Sequence, residues 1–370
     1  MSQETADSTE PPTGGFQLPR SVIRWIAVGL VATSAVVIII TLYSGVNFSD
    51  FERIGLLAFG LAAAASAARL IVQILRFRVI TVGLADDPKM DLSGLAITRV
   101  SSEFISIATP ASSTGVFLRT AWLASKGVTG GKALWIGYFE VLIEVYVSVG
   151  LGIAGGVYSF LNGAVVLGST IVVIALVVLT GYTILFIIPA VRPFKVPHFV
   201  FRIAEFLVGG PRATALYLRA VVGSLNFSVS ARAILTRRMI PVVVKAVVLT
   251  IVEDLLEGAT LWFVLNAAGL KIDLLSATIV VFGIDTIAQL PISIGGAGLT
   301  EFTIQAYLTE VYGFSSWASV IIWRIATYQV LLAITGIVFV FFVRMYAKHV
   351  EKPSEVEHQK DAKGFLQDGG

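Results

Sequence analysis

The stretch PISIGGAGLTEF, Pro291–Phe302, decides how the rest of the sequence is interpreted. It follows the apolar run FGIDTIAQL and would continue a membrane helix, but a proline and three glycines interrupt it, and Glu301 follows the interruption. Irregular backbone at membrane depth leaves polar groups without partners, so it persists only where it is buried in protein or lines a water-filled cavity. The stretch therefore predicts a broken helix beside a cavity.

The composition of the whole chain points to a membrane protein. Of its 370 residues, 56% are hydrophobic and only 14% are charged, and the mean hydropathy is +0.86. Several apolar runs reach the length of about 20 residues that a spanning helix needs. The absence of cysteine excludes disulfides and thiolate metal sites, and the three histidines are not spaced from carboxylates as metal ligands would be. We therefore predict an all-α polytopic membrane protein that needs no metal or other cofactor and binds no nucleic acid.

The apolar segments divide the chain into one bundle with two polar tails. Residues 1–19 are predicted to be a disordered tail and residues 347–370 a solvated cytoplasmic tail. Between them, residues 20–346 form a single transmembrane bundle, with a first half at 50–190, a connector at 191–240 and a second half at 241–346. About six full spans are predicted, at residues 22–43, 54–75, 132–158, 163–188, 241–266 and 315–346.

Two further apolar stretches, residues 95–118 and 271–313, are interrupted by Pro110 and Pro291. If the clusters of lysine and arginine are all cytoplasmic, as the positive-inside rule requires, only Arg53 and Lys271 fall in external loops. Both interrupted stretches must then enter and leave the membrane on one side, the first from the cytoplasm and the second from outside. The charge bias therefore predicts two re-entrant hairpins in the cytoplasmic membrane, with both chain termini cytoplasmic.

The connector at 191–240 is basic and partly apolar. We interpret it as amphipathic helices on the cytoplasmic interface, where arginines meet anionic lipid head groups. The alternative, which the sequence leaves open, is a further span at 214–235, although it would place two arginines inside the membrane.

The two halves share a pattern of span, broken hairpin and span. The segment P-x-x-x-x-G occurs at Pro110–Gly115 and again at Pro291–Gly296, and the predicted topology inverts one half relative to the other. Inverted repeats with discontinuous helices are typical of transporters, whose sites lie near the bilayer midplane. The sequence therefore predicts an inverted repeat with the two breaks at one central site.

Charged residues flank both breaks. Ionisable groups inside a membrane are costly unless they are paired or hydrated, so each is a functional candidate by default, with a structural ion-pair network as the alternative. The glutamates of YFEVLIEVY and of TIVEDLLEG are spaced i,i+4 and share a helix face. The predicted translocation residues are Arg99, Glu103, Pro110, Gly115, Arg119, Glu140, Glu144, Glu253, Glu257, Asp285, Pro291, Gly295, Gly296, Gly298, Glu301 and Arg324.

The helix that restarts near Leu299 is expected to direct its positive N-terminal end inward, which favours an anion such as a lipid phosphate. For Glu301, in the first turn after the break, two interpretations stay open. In the first, the carboxylate balances the helix dipole or pairs with Arg324. In the second, it faces the cavity and meets a cationic head group or a proton, and the two roles can coexist.

LPISIGGAGLTEF resembles the glycine-rich signature of the lysylphosphatidylglycerol synthase/flippase transmembrane family, and TPASSTGVFLR, FEVLIEV and Arg324 resemble weaker family features. The resemblance extends over about residues 50–346. It implies a lipid-translocating membrane domain of the stand-alone type, without the soluble aminoacyl transferase that some members carry. The first break departs from the family pattern, because Val116 to Leu118 are apolar where an acidic residue is usual.

The leading hypothesis is a flippase-like lipid transporter rather than an enzyme. Its expected partners are membrane lipids, namely an anionic or aminoacylated phospholipid or a lipid-linked sugar, and a separate synthase. The alternatives are an ion-coupled transporter of a small soluble solute and a membrane-embedded lipid-modifying protein. A lateral opening wide enough for acyl chains distinguishes a lipid transporter from a transporter of a soluble solute. A nucleophile–base pair or a metal site would identify a lipid-modifying protein.

Overall fold

A computed structural model describes residues 20–85, 90–109, 114–191, 210–233, 236–288 and 296–347, and all regular structure in these ranges is helical. Outside the described residues lie the predicted tail at 1–19, all of the predicted tail at 347–370 except Ala347, and Pro110, Pro291 and Gly295. The helices are α1 Arg20–Tyr43, α2 Phe48–Ile54, α3 Leu56–Leu84, α4 Leu92–Ile107, α5 Gly115–Ser125, α6 Gly130–Leu161, α7 Val165–Val191, α8 Gly210–Ala233, α9 Ile240–Ala267, α10 Leu274–Ala288, α11 Leu299–Tyr312, α12 Trp317–Arg324 and α13 Val330–Ala347, with a π-helical turn at Ile325–Gln329 between the last two.

The polytopic all-α architecture is confirmed. In the described part of the chain, four helical segments are long and apolar enough to cross a membrane, namely Leu56–Leu84, Gly130–Leu161, Val165–Ile184 and Trp317–Met345. A fifth results if Thr33–Tyr43 and Phe48–Ile54, which bend by 102°, count as one span. Helix α9 is long enough to cross a membrane, at 28 residues, but charged side chains interrupt its apolar surface. The predicted count of six spans stays a prediction.

Helix α3 differs from the predicted span at 54–75, because it continues to Leu84. Arg76, which the sequence placed with the cytoplasmic basic residues, therefore lies within the helix and is completely buried. Arg78, two residues later, is exposed. The positive-inside rule counts both arginines alike, but only one of them faces away from the protein interior.

Both interrupted stretches fold into helical hairpins. Helices α4 and α5 run antiparallel, since the Ser106 hydroxyl accepts the Gly115 N–H at 3.1 Å near the break and Lys126 Nζ lies 3.4 Å from Asp91 Oδ1 at the open end. The hydroxyl of Ser93 and the backbone N–H of Gly94 hold the pKa of Asp91, which caps α4, below its usual range. Gly115 packs so closely against α4 that a Cβ there would lie 2.9 Å from the carbonyl carbon of Ser102.

Helices α10 and α11 form the second hairpin. A Cβ built on Gly283 of α10 would lie 3.6 Å from the ring of Tyr307 on α11, and Ser276 lies close to Tyr312 nearer the open end. The two helices are therefore antiparallel as well. Whether either hairpin is re-entrant depends on the membrane position, so that part stays a prediction.

Long antiparallel helices hold the centre of the molecule. Helix α3 packs along α9, where Gly83 meets Val242 and Gln73 donates to Glu253 at 2.6 Å. Around this pair of helices, each half of the chain contributes a helix that packs on the hairpin of the other half. Helix α6 of the first half packs on α10 of the second hairpin, and α13 of the second half packs on α4 of the first hairpin. An inverted repeat requires this exchange of partners, although the repeat itself stays a prediction.

The described part of the connector consists mainly of one continuous helix, α8, and a 3-10 turn at Arg237–Met239 follows it. Helix α8 packs on α6 and α7, with the ring of Phe227 edge-on to Trp135 at 5.0 Å and Ala231 fully buried. It does not reach the hydropathy of the four candidate spans. The interfacial and spanning interpretations of residues 214–235 both stay open.

Candidate functional site: a charged cavity between the hairpins

The cavity lies where the two hairpins meet the central helices. It has a volume of about 250 Å³, far above the 10–15 Å³ or so that one water requires, so it can hold several waters or a small polar group. Its wall includes Ser106 and Ile107 of the first hairpin and Asp285 and Gly296 of the second, together with residues of α3, α6, α9, α12 and the π-helical turn. The broken hairpins and the long helices therefore enclose one shared polar space.

Arg76 is the hub of the charged network beneath this cavity. Its Nη1 lies 2.5 Å from Glu253 Oε2 on α9, and its Nη2 lies 2.8 Å from Glu144 Oε2 on α6. Nη1 also donates to the hydroxyl of Thr250 at 3.2 Å. Taking a guanidinium out of water is costly unless carboxylates and hydrogen bonds compensate it. The partners of Arg76 supply this compensation and tie three helices together.

Glu140 of α6 is completely buried among three arginines. Arg99 donates to it from Nε at 2.8 Å, Arg119 donates from Nη1, and Arg76 Nε lies 3.5 Å away. Arg99 also pairs with Glu103, one turn later on α4, at 2.7 Å. One carboxylate thus fixes both arginines of the first hairpin against α6 and α3.

The part of the cavity wall formed by α9 and α10 is rich in acidic residues. Arg69 pairs with Glu257 at 2.6 Å and approaches Glu253 at 3.8 Å. Asp254 is buried and its carboxylate oxygens accept from the hydroxyl of Ser148 at 3.2 and 3.3 Å. Within the described residues, neither Asp254 nor Asp285 forms an ion pair, and both line the cavity. Carboxyl groups therefore predominate on this side of the space.

Glu301 has the contacts that the helix-cap interpretation of the second break predicts. Its Oε2 accepts the backbone N–H of Gly298 at 2.7 Å, and its Oε1 lies 2.8 Å from Nε of Arg324. Gly298 has φ +85°, which favours glycine. The side chain is 1% exposed and does not line the cavity, whereas Gly296 and Thr300 do. The carboxylate of the chain itself, rather than a bound anion, therefore neutralises the start of α11.

Counted over the described residues of the network, acidic groups outnumber basic ones. The guanidiniums are those of Arg69, Arg76, Arg99, Arg119 and Arg324, and the carboxylates are those of Glu103, Glu140, Glu144, Glu253, Asp254, Glu257, Asp285 and Glu301. No group of three or more histidine, aspartate or glutamate side chains in this part of the chain is placed to hold a metal ion. The excess of carboxylates suits a ligand that carries a positive group, or protons.

The structure separates the predicted site residues into three groups. The cavity is lined by Arg99, Glu103, Arg119, Glu144, Glu253, Glu257, Asp285, Gly296 and Arg324. Gly115, Glu140, Gly298 and Glu301 lie behind the lining and support it. Pro110, Pro291 and Gly295 lie outside the described residues.

Sequence reasoning missed three charged residues of the site, Arg69, Arg76 and Asp254. Arg69 and Arg76 are spaced seven residues apart and so share one face of α3, the face that meets Glu253 and Glu257. This spacing was visible in the sequence. It indicates a charged helix pair, but the positive-inside rule places Arg76 among the cytoplasmic basic residues, and the predicted site residues do not include Arg69.

These features define a class: a polytopic helical membrane protein with a charged cavity between two broken hairpins. The model of the family described as lysylphosphatidylglycerol synthase TM region matches residues 24–336, and the chain belongs to this family. The expected family is thereby confirmed, and with it a multi-pass membrane protein related to lipid handling. No curated protein and no solved structure matches the chain significantly.

Proposed function

We propose that the protein transports a membrane lipid by passing its head group through the charged cavity while the acyl chains stay in the bilayer. The observation that carries this proposal is the cavity itself. A space of about 250 Å³, lined by both guanidinium and carboxylate groups, lies inside an otherwise apolar helix bundle. Such groups are expensive in a membrane unless they serve a ligand or a pathway.

The two signs of charge in the lining suit a head group that carries a phosphate and a positive group. The arginines at the hairpins, Arg99, Arg119 and Arg324, supply donors for phosphate oxygens. Asp254, Glu257 and Asp285, which also line the cavity, supply acceptors for an amine. An aminoacylated or amine-bearing phospholipid fits both sets of groups, and an anionic phospholipid fits the first.

The outer surface of the same helices is suited to lipid tails. Large apolar side chains are exposed on α3, α7 and α13, for example Leu75, Val173 and Ile337. These faces match the hydrocarbon of a bilayer, whereas the cavity residues match a head group. The reciprocal packing of the hairpins supports an inverted repeat, in which the two halves rock about the cavity.

The proposal also includes the membrane in which the protein lies and the class of protein to which it belongs. We place the protein in the cytoplasmic membrane with both termini cytoplasmic, on the basis of the lysine and arginine bias, and we consider it a transporter rather than an enzyme. A separate enzyme that synthesises the lipid stays a predicted partner.

The test is lipid movement in vesicles that contain the purified protein. Acyl-labelled fluorescent phosphatidylglycerol and phosphatidylethanolamine, with unmodified head groups, report movement through quenching by external dithionite. We expect the protein to accelerate the movement of at least one of them. Arg324→Gln and Glu257→Gln are expected to slow it about tenfold or more, equivalent to about 1.4 kcal/mol of barrier.

Arg78→Gln is the matched control, because Arg78 is exposed on α3 and does not line the cavity. It is expected to keep the rate of the unchanged protein. If the cavity variants move both lipids as fast as the unchanged protein does, the proposed path through the cavity is wrong. If vesicles with the protein move neither lipid faster than empty vesicles, the activity itself is contradicted for these lipids.

A further inference from the structure

The last membrane helix changes its geometry beside the cavity. Between α12 and α13, residues Ile325–Gln329 form a π-helical turn, in which the N–H of Val330 donates to the carbonyl of Ile325, five residues earlier. Such turns insert one residue into a helix and frequently mark functional sites. This one directly follows Arg324 and carries Thr327 and Tyr328 into the cavity wall.

Tyr328 connects this turn to the first hairpin. Its hydroxyl donates to the backbone carbonyl of Ile107 at 2.9 Å. Ile107 is the last residue of α4, where the carbonyls have no partner within the helix, so the tyrosine satisfies one of them. The hydroxyl also hydrogen-bonds Thr33 of α1, and the side chain is 6% exposed. The end of α4 is thereby fixed by a residue of the second half.

The same tyrosine contacts the charge pair at the second hairpin. The guanidinium of Arg324 lies over the ring of Tyr328, 4.2 Å from its centroid, and pairs with Glu301. Glu301 in turn accepts the N–H of Gly298, where the second break ends. A continuous series of contacts therefore runs from the second hairpin to the first. In this series, Tyr328 connects the Glu301–Arg324 ion pair with the hydrogen bond to Ile107.

We infer that Tyr328 is a positioning residue that couples the two hairpins, so that a change at the Glu301–Arg324 pair alters the position of the α4 end from Ile107 to Thr109. The inference rests on the proposed function, because it describes how both walls of the transport cavity respond together. It concerns an internal movement, however, and can be measured without any lipid transport. A failure of the transport assay and a failure of this coupling are therefore distinguishable.

The test is a double-mutant cycle read by cysteine labelling. The chain contains no cysteine, and Thr109, in the described part of the first hairpin, lines the cavity, so Thr109→Cys provides a single reporter. The rate of its reaction with a water-soluble thiosulfonate is measured with and without Glu301→Asp. We expect Glu301→Asp to change this rate by at least about twofold when Tyr328 is present, the lower end for contacting residues. In the Tyr328→Phe background the change is expected to disappear.

The matched control is Tyr307→Phe. Tyr307 also donates to a backbone carbonyl, that of Gly155 at 3.1 Å, and is fully buried, but it does not line the cavity. The effect of Glu301→Asp should persist in this background. Should Glu301→Asp prove unstable, Arg324→Lys enters the same cycle in its place.

Three results would overturn the coupling. In the first, the reporter is insensitive to the change at the charge pair. In the second, it responds equally with tyrosine and phenylalanine at position 328. In the third, Tyr307→Phe abolishes the response as completely as Tyr328→Phe does, which indicates general loosening of the bundle.

Discussion

Arg76 and Glu253 face each other at 2.5 Å in the middle of the bundle, and neither side chain is more than 2% exposed. They come from α3 and α9, the long antiparallel helices of the first and second halves. Around them, Glu140 and Gln73 complete a buried polar layer, and the partly exposed Glu144 borders it. The charged cavity therefore borders a layer of buried ion pairs. Mutations can distinguish the charges that stabilise the fold from those that face a ligand.

Replacement of Arg76 by glutamine is expected to destabilise the protein by about 3–5 kcal/mol, because it leaves buried carboxylates without their cation. The measurement is thermal unfolding in detergent, with Arg78→Gln as the control on the same helix. Arg78 is exposed, so the control should unfold near the temperature of the unchanged protein. Equal unfolding temperatures for all three proteins would show that Arg76 is not a structural hub.

The two glutamates of α6 are expected to behave differently although they lie one turn apart. Glu140 is completely buried among three arginines, whereas the side chain of Glu144 is 42% exposed and lines the cavity. Glu140→Gln should lower the unfolding temperature strongly. Glu144→Gln should reduce lipid movement with a smaller loss of stability, because its charge is partly solvated. Reversed results, with Glu144→Gln the more destabilising change, would contradict this division.

Gly152 and Gly150 provide a test of the packing between α6 and the second hairpin. A Cβ at Gly152 would lie 2.8 Å from the carbonyl oxygen of Phe282 on α10, whereas a Cβ at Gly150 meets nothing within 4 Å. Gly152→Ala is expected to cost about 1–3 kcal/mol through overpacking. Gly150→Ala should be neutral or stabilising by up to about 1 kcal/mol, since alanine favours helix. Similar unfolding temperatures for the two variants would mean that α10 is not held in this groove.

Much of the fold was predictable from the sequence, because hydropathy and helix-breaking residues determine the local structure of the chain. The long apolar runs, the restart of a helix near Leu299 and the pairing of the interrupted stretches into hairpins follow from composition and from proline and glycine positions. The charge-bearing face of α6 follows from i,i+4 spacing. These features need no knowledge of which helices become neighbours.

The identity of the ion pairs was not predictable in the same way. Arg76 and Arg78 are two residues apart and look alike in a charge count, yet one is fully buried and the other is exposed. Only the contact of α3 with α9 decides this. Likewise, the sequence left the role of Glu301 open between a cap and a cavity ligand, and only the structure shows its contacts with Gly298 and Arg324. The π-helical turn had no sequence signal that we recognised.

The most direct test of the central claim is to block the cavity and measure lipid movement. Ile107→Cys introduces one cysteine into the cavity wall and keeps the backbone carbonyl that Tyr328 binds, while Leu161→Cys introduces one on the exposed end of α6. Each variant is modified to completion with a bulky, water-soluble thiol reagent before the vesicle assay. The account predicts that modification at position 107 stops lipid movement and modification at position 161 does not. Lipid movement at an unchanged rate after complete modification at position 107 would contradict it.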